Sequence, residues 1–229
     1  MSNYVLVHGG FVGGWYWRET AALLEKDGHR VHVVEQMPSA GRGDPAQLGD
    51  LRADADHVKR VIDAVGEPVV LVGHSYGGMV ITELADHPAV VHTVYLSAFW
   101  PQRGQSLSDL FGDGPPPGWI VAHDNGTATV TDDLEVARQA LCADVDPARA
   151  AEELRRLIPQ SMSSFGTPSS APDRKHRTTY IICEQDNAVP VAAQEQMAAA
   201  ADHVERLPSS HQPMASMPDK LAEALARVR

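Results

Sequence analysis

Apolar runs of four to six residues alternate along the chain with longer stretches of helical spacing. "YVLVHG" (4–9) is apolar almost throughout, stops at glycines and predicts a strand. "WRETAALLEKDGHR" (17–30) has helical spacing and ends near Gly28, and "VHVVEQ" (31–36) predicts a second strand. "LRADADHVKRVIDAVG" (51–66) sets Leu51, Ala55, Val58, Ile62 and Val65 on one face and closes on Gly66, an amphipathic helix with its stop signal. "PVVLVGHS" (68–75) is an unbroken apolar run, as expected of a strand covered on both faces. A helix is expected from about Tyr76 to Asp86, ending before Pro88. Further strands are expected at 90–99, 178–185 and 203–208, with a last helix over "PDKLAEALARV". This alternation predicts an α/β fold with a mostly parallel sheet and helices on both faces.

Residues 101–176 break the rhythm. They carry "GDGPPPGW", "DNGTATVTDD", the helical "DPARAAEELRRLIP" and "SMSSFGTPSSAP". A disordered loop would be poor in large apolar side chains, but this block holds Leu107, Leu110, Phe111, Trp119, Leu141, Leu154, Leu157, Ile158, Met162 and Phe165. The block is therefore read as a packed cap, inserted over the sheet's C-terminal edge, where α/β folds bind ligands. The expected organisation is a core of 1–100 and 177–229 with a cap insertion of 101–176.

At 229 residues with 43% hydrophobic content, the chain can bury one sizeable core. The net charge of −11 comes from scattered acids, with no basic run, so no nucleic-acid partner is expected. The two cysteines, Cys142 and Cys183, form no C-x-x-C pair, so no metal or redox motif is suggested. No apolar run reaches the roughly 18–20 residues of a membrane span, and the N-terminus goes straight into a strand pattern. These features lead to the expectation of a soluble, cytoplasmic protein without a membrane partner; a homodimer is left open.

The candidate chemistry begins at "PVVLVGHSYGGMV" (68–80). Gly73-His74-Ser75-Tyr76-Gly77 is a G-x-S-x-G match lying between an apolar strand and a helix. Small residues on either side of the serine let strand and helix approach, and the sharp turn projects the hydroxyl from the top of the sheet. A serine needs a base, and the base needs an orienting acid. Of eleven histidines, His211 in "LPSSHQPM" follows the last strand and precedes the last helix, which puts it on the same edge. "IICEQDNAVP" offers Glu184 and Asp186 past the fifth strand, and Asp186, further into the loop, is preferred. The Tyr76 backbone N–H, at the start of the new helix, is one candidate oxyanion donor. The other is the Gly10 amide in "HGGFVGGW" (8–15), with His8 bracing the loop and His74 in a structural role. Trp15, Phe99, Trp100, Trp119, Met162, Phe165 and Met214 are the candidate pocket lining, which favours an apolar or aromatic substrate group.

"VLVHGGFVGGWYWRETAALLEKDGHRV", "VVLVGHSYGGMVI", "CEQDNAVP" and "SSHQPM" together resemble the α/β-hydrolase superfamily, in the branch of plant methylesterases, hydroxynitrile lyases and small bacterial esterases. The resemblance spans nearly everything outside the cap. It implies the α/β-hydrolase fold, a Ser75–His211–Asp186 triad, oxyanion donors at Gly10 and Tyr76, and no metal or organic cofactor. Some relatives take the acid from the loop after the preceding strand, but "LSAFWP" offers no carboxylate there. The lyases of the branch carry threonine after the first-loop histidine and lysine after the catalytic histidine. Here Gly9 and Gln212 stand in those places. The implied activity is hydrolysis of a small-molecule carboxylic ester. The alternatives are a lyase, lactonase or perhydrolase using the same triad, and a hydrolase-like ligand sensor.

Overall fold

A computed structural model describes residues 1–112, 114 and 116–228. Residues 113 and 115, within the expected cap, lie outside the described set. Six strands form one wholly parallel sheet: β1 (Asn3–Val7), β2 (Arg30–Val33), β3 (Val69–His74), β4 (Val90–Leu96), β8 (Arg177–Cys183) and β9 (His203–Leu207), in the order β2-β1-β3-β4-β8-β9. Both faces of the central strands are apolar. Val5, Val7, Val69 and Leu71 join one core cluster, whereas their neighbours Tyr4, Leu6, Val70 and Val72 join the other. Period-two alternation thus feeds two cores rather than one core and solvent, which explains why β1 and β3 read as continuous apolar runs.

Helices α1 (Arg18–Lys26) and α10 (Pro218–Ala226) cover one face, and α2 (Leu51–Val65) and α3 (Gly77–Thr82) the other. α2 begins at Asp50, whose carboxylate accepts from the Arg52 and Ala53 amides, each at 3.0 Å. It ends at Gly66 in the left-handed region with φ +67°. Two elements are shorter than the pattern suggests. α3 stops at Thr82 and continues to Asp86 only as turns. β4 ends at Leu96 because Ser97 takes φ +39° and turns the chain out of the sheet.

The insertion between β4 and β8 contains α4 (Leu107–Phe111), α5 (Leu134–Leu141), α6 (Pro147–Arg155) and α7 (Met162–Gly166). It also contains a three-stranded antiparallel sheet that the apolar pattern did not announce: β5 (Ile120–Ala122), β6 (Thr127–Val130) and β7 (Gln160–Ser161). Asn125-Gly126 turns β5 into β6, with Gly126 at φ +80°. Leu107, Ala128, Leu141, Leu154 and Phe165 are buried in the same cluster as the α2 and α3 side chains, so the insertion has no separate core. No helix among the described residues is long and apolar enough to cross a membrane.

The strand order reverses direction between β1 and β3, because the chain first builds outward to β2 and then crosses back. Such a switch point leaves a crevice beyond the carboxyl ends of the two strands. Val7 pairs with Gly73 at that end, so the loop after β1 and the turn after β3 lie side by side.

Candidate active site

Ser75 sits at that crevice with φ +53°, a conformation that costs a non-glycine residue energy and persists only where neighbours enforce it. The enforcement is steric. A Cβ at Gly73 would lie 2.7 Å from the Gly77 carbonyl oxygen and from Ile81, and one at Gly77 would lie 2.7 Å from the His8 carbonyl oxygen. A side chain at Gly78 would collide with the Phe99 carbonyl. The glycines therefore let β3, α3 and the ends of β1 and β4 converge on one serine. The Ser75 carbonyl accepts from the Gly78 and Phe99 amides at 3.0 and 3.1 Å, while its hydroxyl has no partner among the described residues.

His211 and Asp186 meet beside it. His211 Nδ1 lies 2.7 Å from Asp186 Oδ2, and both side chains are buried. A carboxylate only accepts, so Nδ1 carries the proton and Nε2 is the basic nitrogen. The other Asp186 oxygen accepts from the Ala188 and Val189 amides at 2.7 and 2.9 Å. Ser97 donates its hydroxyl to Oδ2, and Gln194 adds a bond to Oδ2 at 3.3 Å. Burial pushes the Asp186 carboxyl up, but the attraction to His211 and these hydrogen bonds outweigh it and hold the group below the usual carboxylate range. Glu184 instead lies at the surface, 3.8 Å from Arg206.

Two histidines buttress the site. His74 Nε2 donates to the His211 carbonyl at 2.8 Å, and its ring lies 4.6 Å from the His211 ring, centroid to centroid. Burial, followed by repulsion from His211, pushes its pKa down to about 3, so it is neutral. His8 Nδ1 donates to the Gly9 carbonyl at 2.8 Å, and burial lowers its pKa to about 4. Gly9 C=O and Gly10 N–H share one trans peptide and point in opposite directions. Holding the carbonyl therefore aims the Gly10 amide. A side chain at Gly9 would press on the Ser75 Cβ at 3.0 Å, whereas Gly10 has ordinary room, with Phe165 3.7 Å away.

The cavity is lined by Gly10, Ser75, Tyr76, Phe99, Trp119, Phe165 and His211 among the expected residues. Asp186 stands behind His211. Trp15, Trp100, Met162 and Met214 do not line it. Trp15 lies in the turn of helix at Gly14–Trp17 under the Arg156 guanidinium, 5.1 Å from the ring. Trp100 instead stacks on Tyr95 with centroids 4.2 Å apart. Met214 belongs to the core on the α1 and α10 face, and Met162 packs at the edge of the other.

Sequence reasoning missed Phe11, Val12, Leu107, Phe111, Ile120, Leu141 and Leu157 as parts of the apolar wall, while Gln212, singled out as the residue after the base, lines the cavity as well. It also missed Asp144. The Ser210 amide donates to this carboxylate at 3.1 Å and the Ser210 hydroxyl donates to its other oxygen, tying the insertion to the loop that carries His211. Among the described residues no group of three or more His, Cys, Asp or Glu side chains is placed to hold a metal ion.

A serine at a strand-to-helix elbow, a buried His–Asp pair and a parallel sheet with an insertion between β4 and β8 accord with the alpha/beta hydrolase family, to which this chain belongs and whose sequence profile matches residues 4–224. The chain is an enzyme of that family, and among its relatives are bacterial and plant proteins named esterases and hydrolases. A carbendazim hydrolyzing esterase of Nocardioides sp. (strain SG-4G) is 33% identical over 242 residues, covering 99% of each chain. Methylesterase 9 of Arabidopsis thaliana is 26% identical over 263 residues, covering 100% of this chain and 98% of its own. The crystal structure of a pyrethroid hydrolase from Sphingobium faniae JZ-2 aligns with a TM-score of 0.83 at 28% identity, over 98% of this chain and 96% of that one.

Proposed function

We propose that the protein hydrolyses small carboxylic esters with apolar or aromatic groups, through an acyl-enzyme on Ser75. His211 Nε2 takes the hydroxyl proton as Oγ attacks the acyl carbon. Asp186 holds the imidazole in the required tautomer and stabilises its charged form. The Gly10 and Tyr76 amides receive the developing oxyanion. The same nitrogen then protonates the leaving alcohol and activates water for deacylation. The reading rests chiefly on the buried 2.7 Å His211–Asp186 bond sharing one cavity with a serine at φ +53°. The naming of relatives as esterases supports the ester as the bond cleaved, and the aromatic wall supports the apolar group.

The test is turnover of p-nitrophenyl acetate and butyrate by the wild type and by Ser75→Ala, with intact-mass detection of a phosphonate adduct. Many turnovers, a single adduct on the wild type and none on Ser75→Ala are expected. Near wild-type hydrolysis by Ser75→Ala would overturn the nucleophile, and one slow turnover per chain would point to a ligand sensor instead.

A further inference from the structure

Gln160 is fully buried, at 0% exposure, in the insertion. A buried carboxamide is costly unless its donors and acceptor are all engaged. Here they are. Its Oε1 accepts from the Phe11 amide at 3.3 Å, and its Nε2 donates to Ser39 Oγ at 2.6 Å and Ser164 Oγ at 2.8 Å. One side chain of the insertion thus holds the loop after β1, the loop after β2 and helix α7. The main chain follows the same path. The Ile158 amide donates to the Phe11 carbonyl at 2.8 Å, and the Ser161 amide to the Ser39 carbonyl at 2.7 Å.

Phe11 has φ +65°, uncommon for a bulky residue. Its N–H and C=O are both held from residues 158–160, so the insertion sustains the strained conformation. The Phe11 N–H belongs to the peptide plane directly after the Gly10 amide. Fixing that plane fixes one side of Gly10, and His8 fixes the other through the Gly9 carbonyl. Gly9 and Gly10 have no side chains to resist a peptide flip. The network then runs on. Ser39 donates its amide at 2.9 Å and its hydroxyl to Asp54, and Asp54 accepts from the Tyr76 hydroxyl at 2.7 Å. One buried chain of hydrogen bonds thus joins Tyr76, which bears one candidate oxyanion donor, to the Phe11 amide next to Gly10, which bears the other, and such satisfied networks rigidify what they connect.

We propose that Gln160 is a positioning residue for the oxyanion hole, by which the insertion holds the Gly10 loop in its productive orientation. The proposal rests on the ester-hydrolase reading for its kinetic consequence, but the clamp can be read without turnover.

Gln160→Met keeps the volume and removes the acceptor, whereas Gln160→Glu keeps an acceptor for the Phe11 amide. Ser39→Ala removes the hydroxyl that joins Gln160 to Asp54 while keeping the residue-39 amide on Asp54 and Gln160 itself, which preserves the test if Gln160→Met does not fold. Two measurements are made on each: kcat and KM for p-nitrophenyl butyrate, and hydrogen exchange of the peptide spanning residues 8–14 against that spanning β3. For Gln160→Met, kcat is expected to fall roughly 10- to 100-fold, a partial loss of one oxyanion donor. KM should stay within about twofold, and exchange should quicken at 8–14 but not at β3. Gln160→Glu should lie between Gln160→Met and wild type, and Ser39→Ala should show the same split, smaller. Unchanged exchange at 8–14 in the folded variants would overturn the clamp whether or not the wild type hydrolyses esters. Quickened exchange with unchanged kcat in an active enzyme would overturn its role in the oxyanion hole. Absence of wild-type turnover would count against the ester-hydrolase reading alone.

Discussion

His74 donates through Nε2 to the main-chain carbonyl of His211 across 2.8 Å, so the residue just before the candidate nucleophile braces the loop that carries its candidate base. A cationic imidazole would be costly so deep in the core, and with its pKa pushed down to about 3 the ring stays neutral. His74→Phe keeps a ring but leaves the His211 carbonyl without this donor. A loss of about 1–3 kcal/mol in urea unfolding is expected, together with a lower kcat as His211 drifts. Unchanged stability and turnover would show that the bond is incidental.

Asp186 and Glu184 are two residues apart in sequence, but only Asp186 touches His211. An amide in place of the Asp186 carboxylate offers the wrong hydrogen-bond pattern to Nδ1–H. In a serine protease the corresponding change lowers kcat by about 10⁴. Asp186→Asn should show a loss of that order, while Glu184→Gln, altering a solvated carboxylate, should stay within about twofold. Equal losses in the two variants would point to the wrong acid.

The strands, the elbow and the spacing of Ser75, Asp186 and His211 were legible because each depends on local pattern: apolar runs covered on both faces, glycines where strand and helix converge, and polar residues just past strand ends. The pocket wall was legible only in part. Phe99 and Trp100 are adjacent and equally aromatic, yet past the turn at Ser97 one lines the cavity and the other stacks on Tyr95. Gln160, Ser39 and Asp54 gave no signal. Their hydrogen bonds reach partners up to 149 residues away, and a polar residue among polar neighbours carries no mark of burial. The Asn125-Gly126 turn was a readable hairpin sign for β5 and β6, but β7 joins them only through the return of the chain at Gln160.

Burial pushes the Asp54 carboxyl up to about 6 against the opposing pull of its bonds to Ser39 and Tyr76. With an unfolded value of 3.8, the folded state binds this proton more tightly. Its contribution to stability is therefore full below about pH 4 and is lost as pH rises through about 6, a swing of about 3 kcal/mol. Asp54→Asn cannot titrate. The stability of the wild type relative to Asp54→Asn should fall as pH rises from 4 to 7, read from urea midpoints at each pH. A difference that is flat or rises with pH would mean that the hydrogen bonds outweigh burial.

Trp119 and Phe165 line the cavity and Trp100 does not. An apolar pocket discriminates by about 1–3 kcal/mol per methylene. Trp119→Leu and Phe165→Leu should therefore shift the preference among acetate, butyrate and benzoate esters by several-fold or more. Trp100→Leu should lower stability and leave that order unchanged. A selectivity change confined to Trp100→Leu would place the acyl group elsewhere.

The choice between ester hydrolysis and cyanohydrin cleavage turns on charge. Cyanide departs as an anion, and a buried site without a cation leaves that charge unpaired. The lyases of this branch are expected to supply a lysine after the catalytic histidine. Here that place holds Gln212, 2% exposed, whose carboxamide is neutral. Among the described residues no lysine or arginine lines the cavity. Gly9 likewise replaces their threonine, and a Cβ there would press within 3.0 Å of Ser75. Mandelonitrile and acetone cyanohydrin should therefore release no cyanide above the uncatalysed rate under conditions where p-nitrophenyl esters are turned over. Cyanide production rivalling ester hydrolysis, measured colorimetrically and absent in Ser75→Ala, would instead assign the lyase reaction to the same site.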